Sequence, residues 1–182
     1  MTIYMMRHGK TEANVKKYYA GKDEPILPID PKRIHDIANT VRDLNIRSIV
    51  ASPYLRTWET AKCIGNELHL PVTINREIYE INLGVLENKT FEEAFAIYGD
   101  ALQPWIDDPF TNGPPQGESL EEVYDRAANF LSTARDDTLY VSHDGFIRAV
   151  RCVSSGDIRH FFDYKIENLE ICLLYTSLSG LA

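Results

Sequence analysis

The chain has 182 residues, 44% of them hydrophobic, enough for one domain that buries a sizeable core. Its 19 Lys and Arg against 27 Asp and Glu give a formal net charge of −8; with no basic run, this argues against nucleic acid and anionic membranes as partners. No stretch approaches the ~20 apolar residues of a membrane span, and the six residues before Arg7 are too few for a signal peptide, so a cytoplasmic protein is expected.

Thr2-Ile3-Tyr4-Met5-Met6 reads as a buried strand ending in Arg7-His8-Gly9. Residues 32–44 place Ile34, Ile37, Ala38, Val41 and Leu44 on one helical face, and 47–51 form a second strand. Ser52-Pro53 then opens a helix, with Ser52 expected as its N-cap and Pro53 in its first turn. Val72-Thr73-Ile74 is a short third strand. From 90 to 125 there are 36 residues without Lys or Arg. They hold a helical pattern at Phe91–Tyr98, a loop rich in Pro and Gly at 108–117, and a longer helix opening at Gly117-Glu118-Ser119 and reaching about Arg135. A loop that long in a compact domain is usually functional. Residues 86–117 are therefore expected to cover a site, as an insertion in a single domain spanning 1–182. Thr138–Ser142 is another strand, 146–153 a helix and 169–175 a last strand. This alternation predicts an α/β fold, a mostly parallel sheet covered on both faces. Cys63, Cys152 and Cys172 form no close metal-type pair and read as reduced, mostly buried thiols.

Candidate chemistry clusters just beyond strands. Arg7 and His8 follow the first, Arg56 lies shortly after the second, and His143 follows Thr138–Ser142. In a parallel sheet those ends face one crevice. Two guanidinium groups and two imidazoles crowded there call for an anion, and a phosphate fits the forked donors of Arg. Such a site suits phosphoryl transfer through a phosphohistidine: a neutral imidazole nitrogen attacks phosphorus while the cations hold the oxygens. The leaving oxygen needs a proton from a general acid. Glu77 and Glu80 both follow the third strand, and spacing alone does not choose between them. No Asp/His cluster has ligand spacing, so no metal or other cofactor is assigned.

The same residues resemble the histidine phosphatase superfamily, the phosphoglycerate mutase-like family. Its Arg-His-Gly-x-Thr-x-x-Asn is matched by Arg7 to Asn14, and its Gly-x-x-Asp-x-Pro-Leu segment resembles Gly21 to Leu27. Its Ser-Pro-x-x-Arg-Thr-x-x-Thr-Ala is Ser52 to Ala61, and its Glu-x-x-x-Gly is Glu80 to Gly84. Gly117-Glu118-Ser119, the run Val141 to Arg148, and Asn168 complete the series. The resemblance implies a three-layer α/β/α sandwich. It implies His8 as nucleophile, Arg7, Arg56 and His143 as phosphate ligands, and Glu80 as proton donor. Asn14, Gly21 and the backbone of Asp144 would bind substrate. Two positions depart from the pattern. Lys10 stands where Glu or Gln is commoner and reads as a rim cation or a solvated turn lysine. Asp144 stands where a small residue is frequent; it reads as the N-cap of the following helix, or as a carboxylate that disfavours highly anionic substrates.

Within that family a mutase needs added basic residues over the site. Here that region, residues 90–125, has nine acids and no cation, and it offers the aromatics Phe91, Phe95, Tyr98, Trp105 and Phe110. This favours a metal-independent phosphomonoesterase of a small phosphorylated metabolite with a neutral or apolar leaving group. Phosphoglycerate mutase-type transfer and a protein phosphohistidine phosphatase are the alternatives, and a silent phosphate-binding scaffold is a further one. The last strand at a sheet edge and aromatics in the cover could support a homodimer.

Overall fold

The computed structural model describes residues 2–175; Met1 and 176–182 of the expected domain lie outside the described residues. Strands β1 (Thr2–Arg7), β2 (Ser48–Ala51), β3 (Val72–Ile74), β4 (Thr138–Ser142) and β5 (Ile171–Tyr175) form one sheet in the order β3-β2-β4-β1-β5. The first four run parallel, and β5 pairs antiparallel with β1 at the sheet edge. The helices are α1 (Glu12–Lys16), α2 (Pro31–Asp43), α3 (Leu55–Leu68), α4 (Phe91–Tyr98), α5 (Gln103–Asp107), α6 (Leu120–Thr133) and α7 (Asp144–Ser155). None of the described helices is long and apolar enough to cross a membrane.

The alternation of side chains along each strand builds three layers. Ile3 and Met5 of β1, with Tyr140 of β4, pack against α6 and α7 through Val123, Ala127, Phe130, Phe146 and Val150. Met6, Leu139 and Val141 face the other way, onto Ile37 and Val41 of α2 and Ala61 and Ile64 of α3. The expected α/β/α sandwich is therefore observed, with β5 as its one antiparallel strand. All three cysteines are free; Cys152 and Cys172 are buried and Cys63 is half-buried.

The helix starts show which local signals held. Asp30 caps α2 by accepting from Lys32 N–H, with Pro31 in the first turn. Ser119 and Glu122 form a capping box on α6. Ser52 does not cap α3: the helix begins at Leu55, with Tyr54 at the N-cap position and no side-chain cap. Pro53 lies before the helix, and the Ser52 hydroxyl bonds His143 instead.

The register sets the site. Arg7 lies opposite Ser142, and Ala51 opposite Val141. The next residues, His8, Ser52 and His143, therefore leave the sheet along one rim, as expected for the carboxyl ends of parallel strands. Beyond that rim lies a segment with its own small core, Leu86, Ala94 and Leu102, against which Tyr19, Leu83, Val85, Tyr98 and Trp105 pack. Gly84 joins it to the site: its φ is +50°, and a Cβ there would strike the Pro115 carbonyl.

Candidate active site

Arg7, His8, Asn14, Arg56 and Glu80 line one cavity of about 140 Å³, together with Tyr18, Tyr19, Tyr54, Ile81, Leu83 and Glu87. The rings of His8 and His143 lie 5.3 Å apart, edge to face, and Tyr54 lies 5.1 Å from His143. His8, Arg56 and His143 are buried. The strand-end residues thus meet in space, as their placement after β1, β2 and β4 requires.

Hydrogen bonds fix the two imidazoles. His8 Nδ1 lies 2.7 Å from the Gly9 carbonyl, which can only accept. Nδ1 therefore carries the proton and Nε2 keeps its lone pair. Burial, then the charge of Arg56, holds the His8 pKa down to about 3, so the ring is neutral and nucleophilic at ordinary pH. His143 Nε2 lies 2.8 Å from Ser52 Oγ. That hydroxyl also accepts from Tyr54 N–H at 3.4 Å; if it gives its own proton to Nε2, the His143 proton sits on Nδ1. Burial, then Arg56, pushes the His143 pKa well below its ordinary value.

The guanidinium groups are anchored at one side. Arg7 Nη1 donates to the Ile166 carbonyl at 2.6 Å, and Arg56 Nη1 to the Gly21 carbonyl at 2.6 Å. Among the described residues, four buried side-chain atoms have no hydrogen-bond partner in the protein; three are Arg7 Nε, Arg56 Nε and His143 Nδ1. A buried donor left unpaired costs about 1–3 kcal/mol. All three belong to residues grouped at this site, where an anion would supply acceptors.

Glu80, not Glu77, reaches this cavity. Its Oε1 accepts from Ile81 N–H at 2.9 Å and Phe146 N–H at 3.2 Å, and its Oε2 from Gly145 N–H at 3.4 Å. The carboxyl thus takes the orphan N–H groups at the start of α7. Those bonds and Arg56 favour the ionised form, but burial outweighs them and raises the pKa. A carboxyl whose pKa is raised, lining the same cavity as His8, suits proton donation.

Two residues expected at the site also make contacts within the protein. Gly21 gives its carbonyl to Arg56 and its N–H to Asn88 Oδ1 at 3.2 Å, so its backbone holds the cradle from behind. Asp144 is the first residue of α7 and not its N-cap; that position is His143, with no side-chain cap. Its carboxylate pairs with Arg148 at 2.6 Å and accepts from Ile166 N–H at 3.2 Å. The anion-repelling reading weakens accordingly, because this charge is already matched. Asn14 lines the cavity, and its Oδ1 accepts from Thr11 N–H at 3.1 Å and Asn168 Nδ2 at 3.2 Å. Lys10 is exposed, outside any helix or strand.

The model of the histidine phosphatase superfamily (branch 1) matches residues 3–180. The chain belongs to that superfamily. A Hydrogenobacter thermophilus protein provisionally named phosphoserine phosphatase 2 is 26% identical over 175 residues, covering 93% of this chain and 86% of its own. An Escherichia coli protein provisionally named a phosphoglycerate mutase is 26% identical over 137 residues, covering 75% of this chain and 64% of its own. The solved α-ribazole phosphatase of Shigella flexneri shares the fold, with a TM-score of 0.85 at 20% identity over 98% of this chain and 92% of that one. Membership makes the chain a phosphatase or mutase enzyme.

In this superfamily member, sequence reading gave no role at the site to three polar residues around it. Ser52 looked like a cap and proves to orient His143. Glu118 was counted among the acids of the cover, but it lies partly buried against Arg126, with which it pairs at 3.0 Å. Arg126 carried no motif signal; its one hint was to be the first cation after 36 residues without one.

Proposed function

We propose that the protein is a phosphomonoesterase that hydrolyses a small phosphorylated metabolite through a phosphohistidine, without a metal. One observation carries this: a neutral imidazole with its Nε2 lone pair free shares a 140 Å³ cavity with two arginines and a carboxyl whose pKa is raised. His8 Nε2 forms a bond to phosphorus as the ester P–O bond breaks. Arg7, Arg56 and His143 Nδ1–H hold the non-bridging oxygens, and Glu80 gives its proton to the leaving oxygen. The resulting imidazolium is steadied by its Nδ1–H bond to the Gly9 carbonyl. Water then attacks phosphorus while the Glu80 carboxylate takes its proton; the P–N bond breaks and phosphate leaves.

Hydrolysis is favoured over mutase transfer because Leu83 and Glu87, the neighbouring wall of the cavity, bring no cation, and residues 90–125 hold none. That same wall restricts the opening to small esters and weighs against a protein loop as substrate. One observation favours a second class of substrate. Across Tyr54 lies a recess of about 480 Å³ whose charged lining is Lys22, Arg76 and Asp23, a net positive set beside which a carboxylate on the leaving group could lie. Phosphoserine, named in one relative, is such an ester.

The test is release of phosphate from p-nitrophenyl phosphate with EDTA present, in wild type and His8→Ala. Activity in wild type and none in the variant is expected; activity that survives the substitution overturns the mechanism. Rapid interconversion of 2- and 3-phosphoglycerate would overturn the ranking. Lys22→Glu/Arg76→Glu sorts the substrates: a carboxylate-bearing ester loses kcat/KM and a neutral one does not if the recess is used.

A further inference from the structure

The region around Glu80 has little regular structure to hold it. It follows a 3-10 turn at Arg76–Ile78 and precedes another at Gly84–Leu86. Four successive carbonyls, of residues 77 to 80, nevertheless all have donors. Ser142 Oγ donates to the Ile78 carbonyl at 2.7 Å. Arg126 serves the other three: Nη1 donates to Glu77 at 2.9 Å and Tyr79 at 2.8 Å, and Nη2 approaches Glu80 at 3.5 Å.

The same guanidinium is locked from its other side. Its Nε donates to Glu118 Oε1 at 3.2 Å and its Nη2 to Glu118 Oε2 at 3.0 Å. Glu118 in turn accepts from the Tyr79 hydroxyl at 2.9 Å and from Asn82 N–H at 2.8 Å. Arg126 Cζ lies 3.6 Å from the Tyr79 ring centroid. Both partners are largely buried, with side-chain exposures of 8% and 15%.

We infer that Arg126 and Glu118 are positioning residues that clamp the loop on both sides of Glu80 and so aim its carboxyl at the leaving oxygen. The inference rests on the reading of Glu80 as the general acid. Stability alone is a poor reason for such a pair, since replacing a buried ion pair with apolar residues is often neutral. What this pair does is define a backbone: a planar fork with five N–H groups satisfies two carboxylate oxygens and three carbonyls at once. A lysine ammonium cannot span them. Neither residue lines the catalytic cavity, so neither touches the reacting atoms.

The experiment compares kcat/KM for two esters of similar shape, p-nitrophenyl phosphate and phenyl phosphate. Phenolate is the poorer leaving group and depends more on protonation. Arg126→Lys and Glu118→Gln are expected to lose about tenfold more kcat/KM on phenyl than on p-nitrophenyl phosphate, within the range that general acids supply. Glu80→Gln is the reference and shows the same selectivity, larger. Tyr79→Phe removes one bond of the network and shows the same direction, smaller; it keeps the test open if an Arg126 variant does not fold. Equal losses on both esters in the clamp variants, beside a selective Glu80→Gln, overturn the clamp. A Glu80→Gln protein without selectivity overturns the reading of Glu80 itself, and the clamp with it.

Discussion

The cradle at the strand ends and the segment over it, residues 84–117, are built on opposite terms. The cradle is assembled from buried charge: His8, Arg56 and His143 are at most 4% exposed, and each is tied by a bond under 3 Å to the chain around it. The segment over it has three fully buried apolar residues, short helices, and Phe91, Phe95, Ile97 and Ile106 open to solvent. The first can hold a transition state because its groups are already in place before substrate arrives. The second is a satellite cluster with few buried apolar contacts, the kind of region that opens at low free energy. Under the proposed function, chemistry falls to the scaffold and selection among leaving groups to the segment beyond it.

That contrast can be broken most sharply at His8. His8→Ala is expected to lower kcat by about 10⁴-fold or more, the scale of losing a nucleophile, while residual phosphate binding by Arg7 and Arg56 remains measurable by calorimetry. Next is Glu80→Gln, expected to cost about 10²–10⁴-fold in kcat/KM. It also removes the fall in activity on the alkaline side, which in wild type marks loss of the proton that burial keeps on this carboxyl. An unchanged alkaline limb would separate that limb from Glu80.

The cover responds in stability. Leu102 is fully buried in its small core, and Leu102→Ala is expected to cost about 2–5 kcal/mol there. Hydrogen exchange should show protection lost at 84–107 before the sheet. Simultaneous loss in β1 and β4 would show that cover and scaffold unfold as one unit. The smallest effect concerns pH. His8 has its folded pKa depressed from 6.5 to about 3, so its contribution to stability is full above about 6.5 and is lost as pH falls toward 3. Glu80, whose folded pKa is raised, contributes in the opposite sense, fully below about 4.5 and less as pH rises. His8→Asn should therefore flatten the decline in Tm between pH 6.5 and 4 relative to wild type; parallel curves would contradict the assigned burial.

The parts of the site that a sequence can show are those fixed by the nearest strand. Arg7-His8 and His143 follow directly from apolar runs whose parallel pairing brings their ends together. Glu80 was harder, because its loop follows an edge strand and nothing local separates it from Glu77; motif resemblance chose it, and three backbone N–H bonds at the start of α7 explain the choice. Ser52 and Asp144 were misread for one reason. Both lie in a short strand-to-helix junction, where Ser and Asp ordinarily cap; here His143 across the sheet rim and Arg148 one turn along α7 claim their side chains. Arg126 was invisible because its partners lie 8 and 46 to 49 residues away in the chain, and no periodicity marks such a contact.

The most direct measurement is to trap the covalent species. Glu80→Gln protein is mixed with p-nitrophenyl phosphate, quenched in alkali, and its peptides are analysed by mass spectrometry. One phosphoryl group, stable in alkali and lost in acid, is expected on His8 and absent from His8→Ala. A phosphoryl group on any other residue, or phosphate released with His8 never modified, would contradict nucleophilic attack by this imidazole.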